Sequence, residues 1–440
     1  MKLAVVVQRY GAAINGGAEL HARYIAEHLS KHAQVEVLTT CAADYVTWRN
    51  ELRPGLETIN GVGVRRFPVR HPRDVQAFGR RSARVFEETH SLGDELAWLD
   101  AEGPTSRKLI SYLAANRDRY DYFLFFSYRY YHAYHGARSV PERAVLVPTA
   151  ERDPAIGLAI FGPLFRGVRA LMYNSFEERD LIQAASGNRD VPGVVVGVGS
   201  EVPEAADAAR FRRKHGIDRR FAIYVGRIDE NKGCKELFQH FARYARSERE
   251  PLQLVLCGNS ILPIPDSPHV RHLGFVSDED KFDGMAAADL LVMPSYFESL
   301  SMVALESWAL GRPVLANGAC DVLKGQCLRS NAGLFYDSYD EFAAALGWFA
   351  RHPAEARSLG RNGAAYFRRH YAWPVIEKKY MDMFERLSRE PAAATELRQP
   401  LPRWWARREA NIRPARHLVE ALPRGASRSG QAREAREVTA

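Results

Sequence analysis

Along the 440 residues, short β-branched and apolar runs alternate with longer amphipathic stretches almost from end to end. Residues 3–8, 35–39, 64–67, 123–127, 144–147, 170–173 and 194–198 predict strands, and 18–29, 96–116 and 177–185 carry helical spacing between them. The pattern then restarts. Strands are predicted over 221–225, 253–257, 270–273, 290–293, 313–316 and 334–336, with helices over 235–244, 278–287, 301–310 and 339–349. Strands that are apolar throughout, rather than at alternate positions, are buried on both faces and imply a parallel sheet covered by helices. The expected class is α/β, with two facing Rossmann-like, doubly wound domains and ligands at the strand ends in an interdomain cleft. Residues 199–210 read as the linker between an acceptor-side domain, 1–199, and a second domain, 200–372. No short repeat is present, which argues against a solenoid.

Composition changes this picture little: 46% apolar and 26% charged residues suit a soluble globular protein. No run approaches the roughly 18 apolar residues of a membrane span. The opening MKLAVVVQRY enters a strand directly, without an apolar signal region, so a cytoplasmic location is expected. Cys41, Cys234, Cys257, Cys320 and Cys327 are scattered and odd in number, and read as free thiols rather than a disulfide frame or zinc site. The formal charge of +8 is concentrated at the end, where residues 391–440 carry ten Arg against five Glu. The body is nearly balanced, which argues against a nucleic-acid footprint.

Three constellations carry chemistry. In residues 8–29 a strand ends, a small-residue loop follows, and Gly16–Gly17 lead into a helix whose free N–H groups suit an anion. A simple tight turn explains the glycines equally well. The G-x-G-x-x-G dinucleotide fingerprint is missing, which argues against a nicotinamide enzyme. In residues 224–237 a strand runs into Gly226–Arg227, and Lys232 precedes the next helix, a pair of cations suited to a diphosphate. In residues 294–314 the helix 301–310 is almost wholly apolar, yet contains Glu306, with Glu298 just before it. A buried carboxylate needs partners. These are either groups inside the protein or the paired hydroxyls of a ligand. Ser299, Leu300, Ser301 and Met302 would aim N–H groups of the helix start at a phosphate.

The spacing Glu298-x7-Glu306, with Arg227 and Lys232 in G-R-I-D-x-x-K-G and the Gly16–Gly17 loop, resembles glycosyltransferase family 4 over roughly residues 1–390. The resemblance implies the GT-B fold, retaining and metal-independent transfer, and a nucleoside-diphosphate sugar as donor, with no further cofactor. It assigns Arg227 and Lys232 to the donor diphosphate, Glu306 to the ribose and Glu298 to the donor sugar. Many members place a histidine where this chain has Glu151, which moves attention to Glu151 and Asp153 on the acceptor side. His132 and His135 are alternatives, although both also read as positions on a helix face. The resemblance further implies a last helix, 373–388, that crosses back to the first domain.

The expected activity is therefore glycosyl transfer to a carbohydrate or lipid-linked acceptor hydroxyl, in polysaccharide or glycolipid assembly. A non-catalytic sugar-nucleotide binder and a GT-B-like epimerase are the alternatives. In residues 401–422, Trp404 and Trp405 stand among Arg403, Arg407 and Arg408, and Ala415, Leu418, Val419 and Leu422 share one helical face. That combination predicts either a solvated tail or peripheral contact with an anionic inner-membrane surface.

Overall fold

The computed structural model describes residues 1–392 apart from Asn15, together with Thr395, Leu397, Val419 and Glu420. The first half builds strands β1 (Lys2–Val6), β2 (Gln34–Thr40), β3 (Gly55–Ile59), β4 (Val62–Phe67), β5 (Tyr122–Phe126), β6 (Ala144–Val147), β7 (Ala170–Tyr173) and β8 (Gly193–Val195). Their order in the sheet is β3-β4-β2-β1-β5-β6-β7-β8. The second half adds β9 (Phe221–Val225), β10 (Gln253–Cys257), β11 (Val270–His272), β12 (Leu290–Met293), β13 (Val314–Asn317) and β14 (Gly333–Tyr336), ordered β11-β10-β9-β12-β13-β14. Every pairing in the second sheet is parallel. The central strands β5, β6, β7 and β12 are buried at every residue, as their unbroken apolar runs require.

Both sheets reverse their order beside their first strand, at β1/β5 and at β9/β12. In doubly wound sheets such a reversal opens a ligand-binding crevice at the carboxyl ends of the strands. The loops after these strands carry Arg9, Arg227 and Glu298.

Two departures from the sequence reading have local causes. The helix predicted over 96–116 is two helices, Leu92–Glu102 and Arg107–Ala115. Gly103 takes φ 68° and Pro104 follows it, a pair that cannot continue a helix. The edge strand β3 was missed, because β3 is largely exposed and lacks an apolar run. It pairs antiparallel with β4 through Asn60–Gly61, both at positive φ, as a two-residue hairpin turn requires.

The last described helix, Trp373–Arg389, lies against the first half. Its buried Ile376, Tyr380, Met383, Phe384 and Leu387 form one face, and the Phe384 ring stacks on Tyr122 at 5.3 Å. Arg169 donates to the carbonyls of Leu387 at 2.8 Å and Glu390 at 2.5 Å, satisfying groups that a helix end leaves free. At the other end Trp373 stacks on His28 at 3.5 Å. The imidazole of His28 sits between Glu377 and Glu201, each at 2.6 Å. No helix among the described residues is long and apolar enough to cross a membrane. Residues 401–422 lie outside the described residues except Val419 and Glu420, which are exposed.

Candidate active site

Beyond β9 the chain turns through Gly226 at φ 147°, a conformation open to glycine, and presents Arg227. The Arg227 guanidinium donates through Nε to Asp229, and through Nη1 to the Tyr45 hydroxyl of the first half at 3.0 Å. Asp229 is buried, and its second oxygen accepts the Lys232 backbone N–H at 2.8 Å. One carboxylate thus orients both predicted phosphate cations. Gly233, at φ 71°, lets this loop press on the segment leaving β12: a Cβ there would lie 2.0 Å from the Pro294 carbonyl oxygen. Lys232 Nζ then reaches Glu298 Oε1 at 2.7 Å. Burial works against the lysine's charge, yet the Glu298 carboxylate holds its pKa above the ordinary value.

The helix Met302–Ala309 begins at Ser301, whose φ is 70° and whose hydroxyl accepts the Ala304 N–H. Leu300 is buried in the core, and its carbonyl accepts from Gln326 at 2.8 Å. Ser299 Oγ accepts from Asn174 of the first half at 3.3 Å. Glu306 is 4% exposed. Its Oε1 accepts from Lys281 at 3.2 Å, whereas its Oε2 is buried with no hydrogen-bond partner among the described residues. Burial pushes this carboxyl's pKa up, and Lys281 offsets only part of the effect. An unsatisfied buried oxygen costs about 1–3 kcal/mol. Of the two partner types the sequence left open, the protein thus supplies one contact and leaves one oxygen unmet.

On the facing side the helix Gly17–Leu29 carries Glu19 in its first turn, bound by Arg9 through Nε at 2.8 Å and Nη2 at 2.7 Å. A Cβ on Gly16 would come within 2.1 Å of the Glu19 carboxylate, whereas Gly17 borders open space. Gly16 thus leaves room for the Arg9–Glu19 pair. Glu151, beyond β6, is half-buried, and no hydrogen bond or ion pair reaches its carboxyl among the described residues. Burial, with the Glu298 carboxylate nearby, pushes its pKa up to about 7. Behind it, wholly buried Glu178 accepts the N–H groups of Ala150 and Asn174, each at 2.5 Å. Burial pushes Glu178 up to about 8.

Asp153 and the histidines have partners of their own within the first half. Asp153 is engaged by Arg129 at 2.6 Å, by Tyr128 and by the Ala155 N–H. His132 is buried against the Phe126 carbonyl at 3.0 Å, and burial lowers both His132 and His135 to about 4. Neither histidine lines the cavity of about 370 Å³ between the halves, whose walls include Glu151, Glu178, Tyr296, Phe297, Glu298 and Cys320. Arg152–Asp321 at 2.6 Å and Arg329–Glu177 at 2.5 Å bridge the halves around it.

Residues 207–366 match the family model for glycosyl transferases group 1. The chain is 24% identical to a D-inositol 3-phosphate glycosyltransferase of Corynebacterium jeikeium, over 90% of this chain and 97% of the relative. Sucrose-phosphate synthase of Thermosynechococcus elongatus superposes with a TM-score of 0.65 at 17% identity, covering 88% of this chain and 99% of that one. HepE of Anabaena in complex with UDP-glucose gives 0.63 at 17% identity, over 88% of this chain and 100% of that one. This chain is a glycosyltransferase with the GT-B fold.

Several polar residues of the glycosyltransferase's cleft escaped the sequence reading. Asp229 stood inside the G-R-I-D motif and could have been found there, as an acid two residues from one cation and three from the other. Tyr45, Asn174, Glu178 and Lys281 carry no local signal, because each meets its partner only through the tertiary fold. Among the described residues no group of three or more His, Cys, Asp or Glu is placed to hold a metal ion.

Proposed function

We propose that this glycosyltransferase moves a sugar, with retention of anomeric configuration, from a nucleoside-diphosphate sugar to an acceptor hydroxyl. The carrying observation is the Glu306 carboxylate, buried on an apolar helix with Oε2 unmet. A ribose hydroxyl is a donor of the right chemistry for that oxygen. Arg227 and Lys232, with N–H groups near Gly16–Gly17, Leu300 and Ser301, stabilise the charge that builds on the diphosphate as the anomeric bond breaks. Each such donor is worth about 2–4 kcal/mol. Glu298 accepts from the donor sugar's hydroxyls and fixes the anomeric carbon. Glu151, without a cation of its own, receives the acceptor hydroxyl across the cavity. The leaving diphosphate itself serves as the base for front-face attack. Two fixed cations supply the charge a divalent ion would otherwise bring, so transfer is metal-independent.

The domains divide in this reading at 199/200, with the donor domain over 200–372 and helix 373–388 returning to the acceptor domain. The acceptor is a carbohydrate or a lipid-linked sugar, and the site of action is the cytoplasm or the inner membrane surface, with residues 401–422 as a peripheral anionic-membrane contact. The solved HepE complex with UDP-glucose, on the same fold, supports a sugar nucleotide as donor. NMR of the product formed from UDP-, GDP- and ADP-sugars, with and without excess chelator, tests the chemistry. An α-linked product from an α-linked donor, unaffected by chelation, is expected. An inverted product, or activity restored only by magnesium or manganese, refutes the respective claim. Sedimentation with phosphatidylglycerol vesicles, comparing the intact chain with one ending at Glu390, tests the tail; equal binding by both refutes it.

A further inference from the structure

The Lys232–Glu298 pair joins two groups that the proposed function uses separately, one on the diphosphate and one on the sugar. They touch at 2.7 Å. The contact is built into the backbone. Lys232 is held at its N–H by Asp229, and the close seat of Gly233 on Pro294 locks the two loops together. Asn317 Nδ2 donates to the same Pro294 carbonyl at 3.0 Å, fixing the far side of that seat. The Glu298 side chain is 12% exposed and that of Lys232 is 33% exposed, so water screens the pair only in part.

A diphosphate entering here must draw Lys232 toward itself and sets its own negative charge near Glu298. The carboxylate then loses its cation. A complete sugar nucleotide compensates, because its sugar hydroxyls donate to Glu298. A free nucleoside diphosphate brings no such donor. Arg227 is poised alike, held by Asp229 and Tyr45, so neither cation is an idle anion trap.

We infer that Glu298 is an internal competitor for the diphosphate, which selects sugar nucleotides over free nucleoside diphosphates and so speeds release of the product nucleotide. This rests on the assignment of Lys232 to the donor diphosphate. Specificity here comes from a like-charge penalty that one ligand relieves and the other does not.

Titration calorimetry with UDP, GDP, ADP and their glucose esters tests it on the intact chain, Glu298→Gln, Lys232→Ala and the double variant. Glu298→Ala serves as a second route to the same loss, and melting curves report folding. Removing Glu298 is expected to tighten the free diphosphate about tenfold, or about 1.4 kcal/mol. It should leave the glucose ester no tighter, and the gain should vanish in the double variant. Unchanged or weaker diphosphate binding in both Glu298 variants overturns the inference. If Lys232→Ala leaves every diphosphate affinity unchanged, or if no diphosphate binds the intact chain, the assignment of Lys232 fails instead.

Discussion

The two walls of the cleft handle charge differently. In the second half the polar groups are fixed ions: Arg227 on Asp229, Lys232 on Glu298 and Lys281 on Glu306. In the first half two of the carboxyls facing the cavity have no cation bound to them: Glu151, pushed up to about 7, and Glu178, pushed up to about 8 on two backbone amides. One wall pairs its carboxylates with cations and suits a diphosphate. The other changes protonation across neutral pH and suits a neutral hydroxyl. A cleft that joins a charged donor to an uncharged acceptor needs both kinds of wall.

The largest expected effect falls on the fixed wall. Lys232→Ala should lower turnover by about 10²–10³, from about 2–4 kcal/mol of lost stabilisation, in a folded protein. The loss should persist at both pH 6 and pH 8, because the lysine stays charged through that range; a loss confined to one end of it would blur the contrast. Glu178→Gln should destabilise the first half by about 1–3 kcal/mol, read from thermal melts, because an amide NH₂ would face a backbone N–H. The wild-type carboxyl keeps its proton in the folded state up to about 8, against an ordinary value of 4.5. The folded state therefore binds the extra proton, and that stabilisation, complete below 4.5, fades as pH rises through 8. Glu178→Gln has no such slope, so its deficit should narrow with rising pH.

Glu151 should give kcat/KM for the acceptor a limb that rises about tenfold between pH 6 and pH 8, as a group titrating near 7 requires. Glu151→Gln should flatten it, and a limb that survives the substitution points to another group. The smallest effect is expected where the walls touch. Tyr45→Phe removes one exposed hydrogen bond to Arg227, worth about 0.5–1.5 kcal/mol, and should raise the donor KM a few-fold with kcat unchanged. A fall in kcat instead would place Tyr45 in the chemical step.

The same contrast explains what could be read from the chain. Arg227, Lys232 and Glu298 come from the loops after the paired neighbours β9 and β12, and Glu306 from the helix that follows the second loop, so short motifs capture them. Their spacing is fixed by one strand-loop-helix unit each. The first wall gathers Arg9, Tyr45, Glu151, Asn174 and Glu178 from segments far apart, and only Glu151 was singled out, through resemblance. Strands buried on both faces were legible for the same reason: apolar runs such as 123–126 and 290–293 signal locally. The exposed edge strand β3 and the break at Gly103 depend on conformation more than on hydrophobic pattern, although Asn60–Gly61 and Gly103–Pro104 announced both. At Gly16 the lack of a side chain makes room for Arg9 and Glu19, whereas the adjoining Gly17 borders open space.

The central claim is that the second half holds a sugar nucleotide through the buried Glu306. Thermal melts of the intact chain and of Glu306→Ala, each with UDP-, GDP- and ADP-sugars at saturating concentration, test it most directly. Ligand at about 100 times its dissociation constant adds about 2.7 kcal/mol to a folded protein. One sugar nucleotide should raise the wild-type melting temperature by that stabilisation and leave a folded Glu306→Ala variant nearly unmoved. Equal shifts in both proteins would contradict the account.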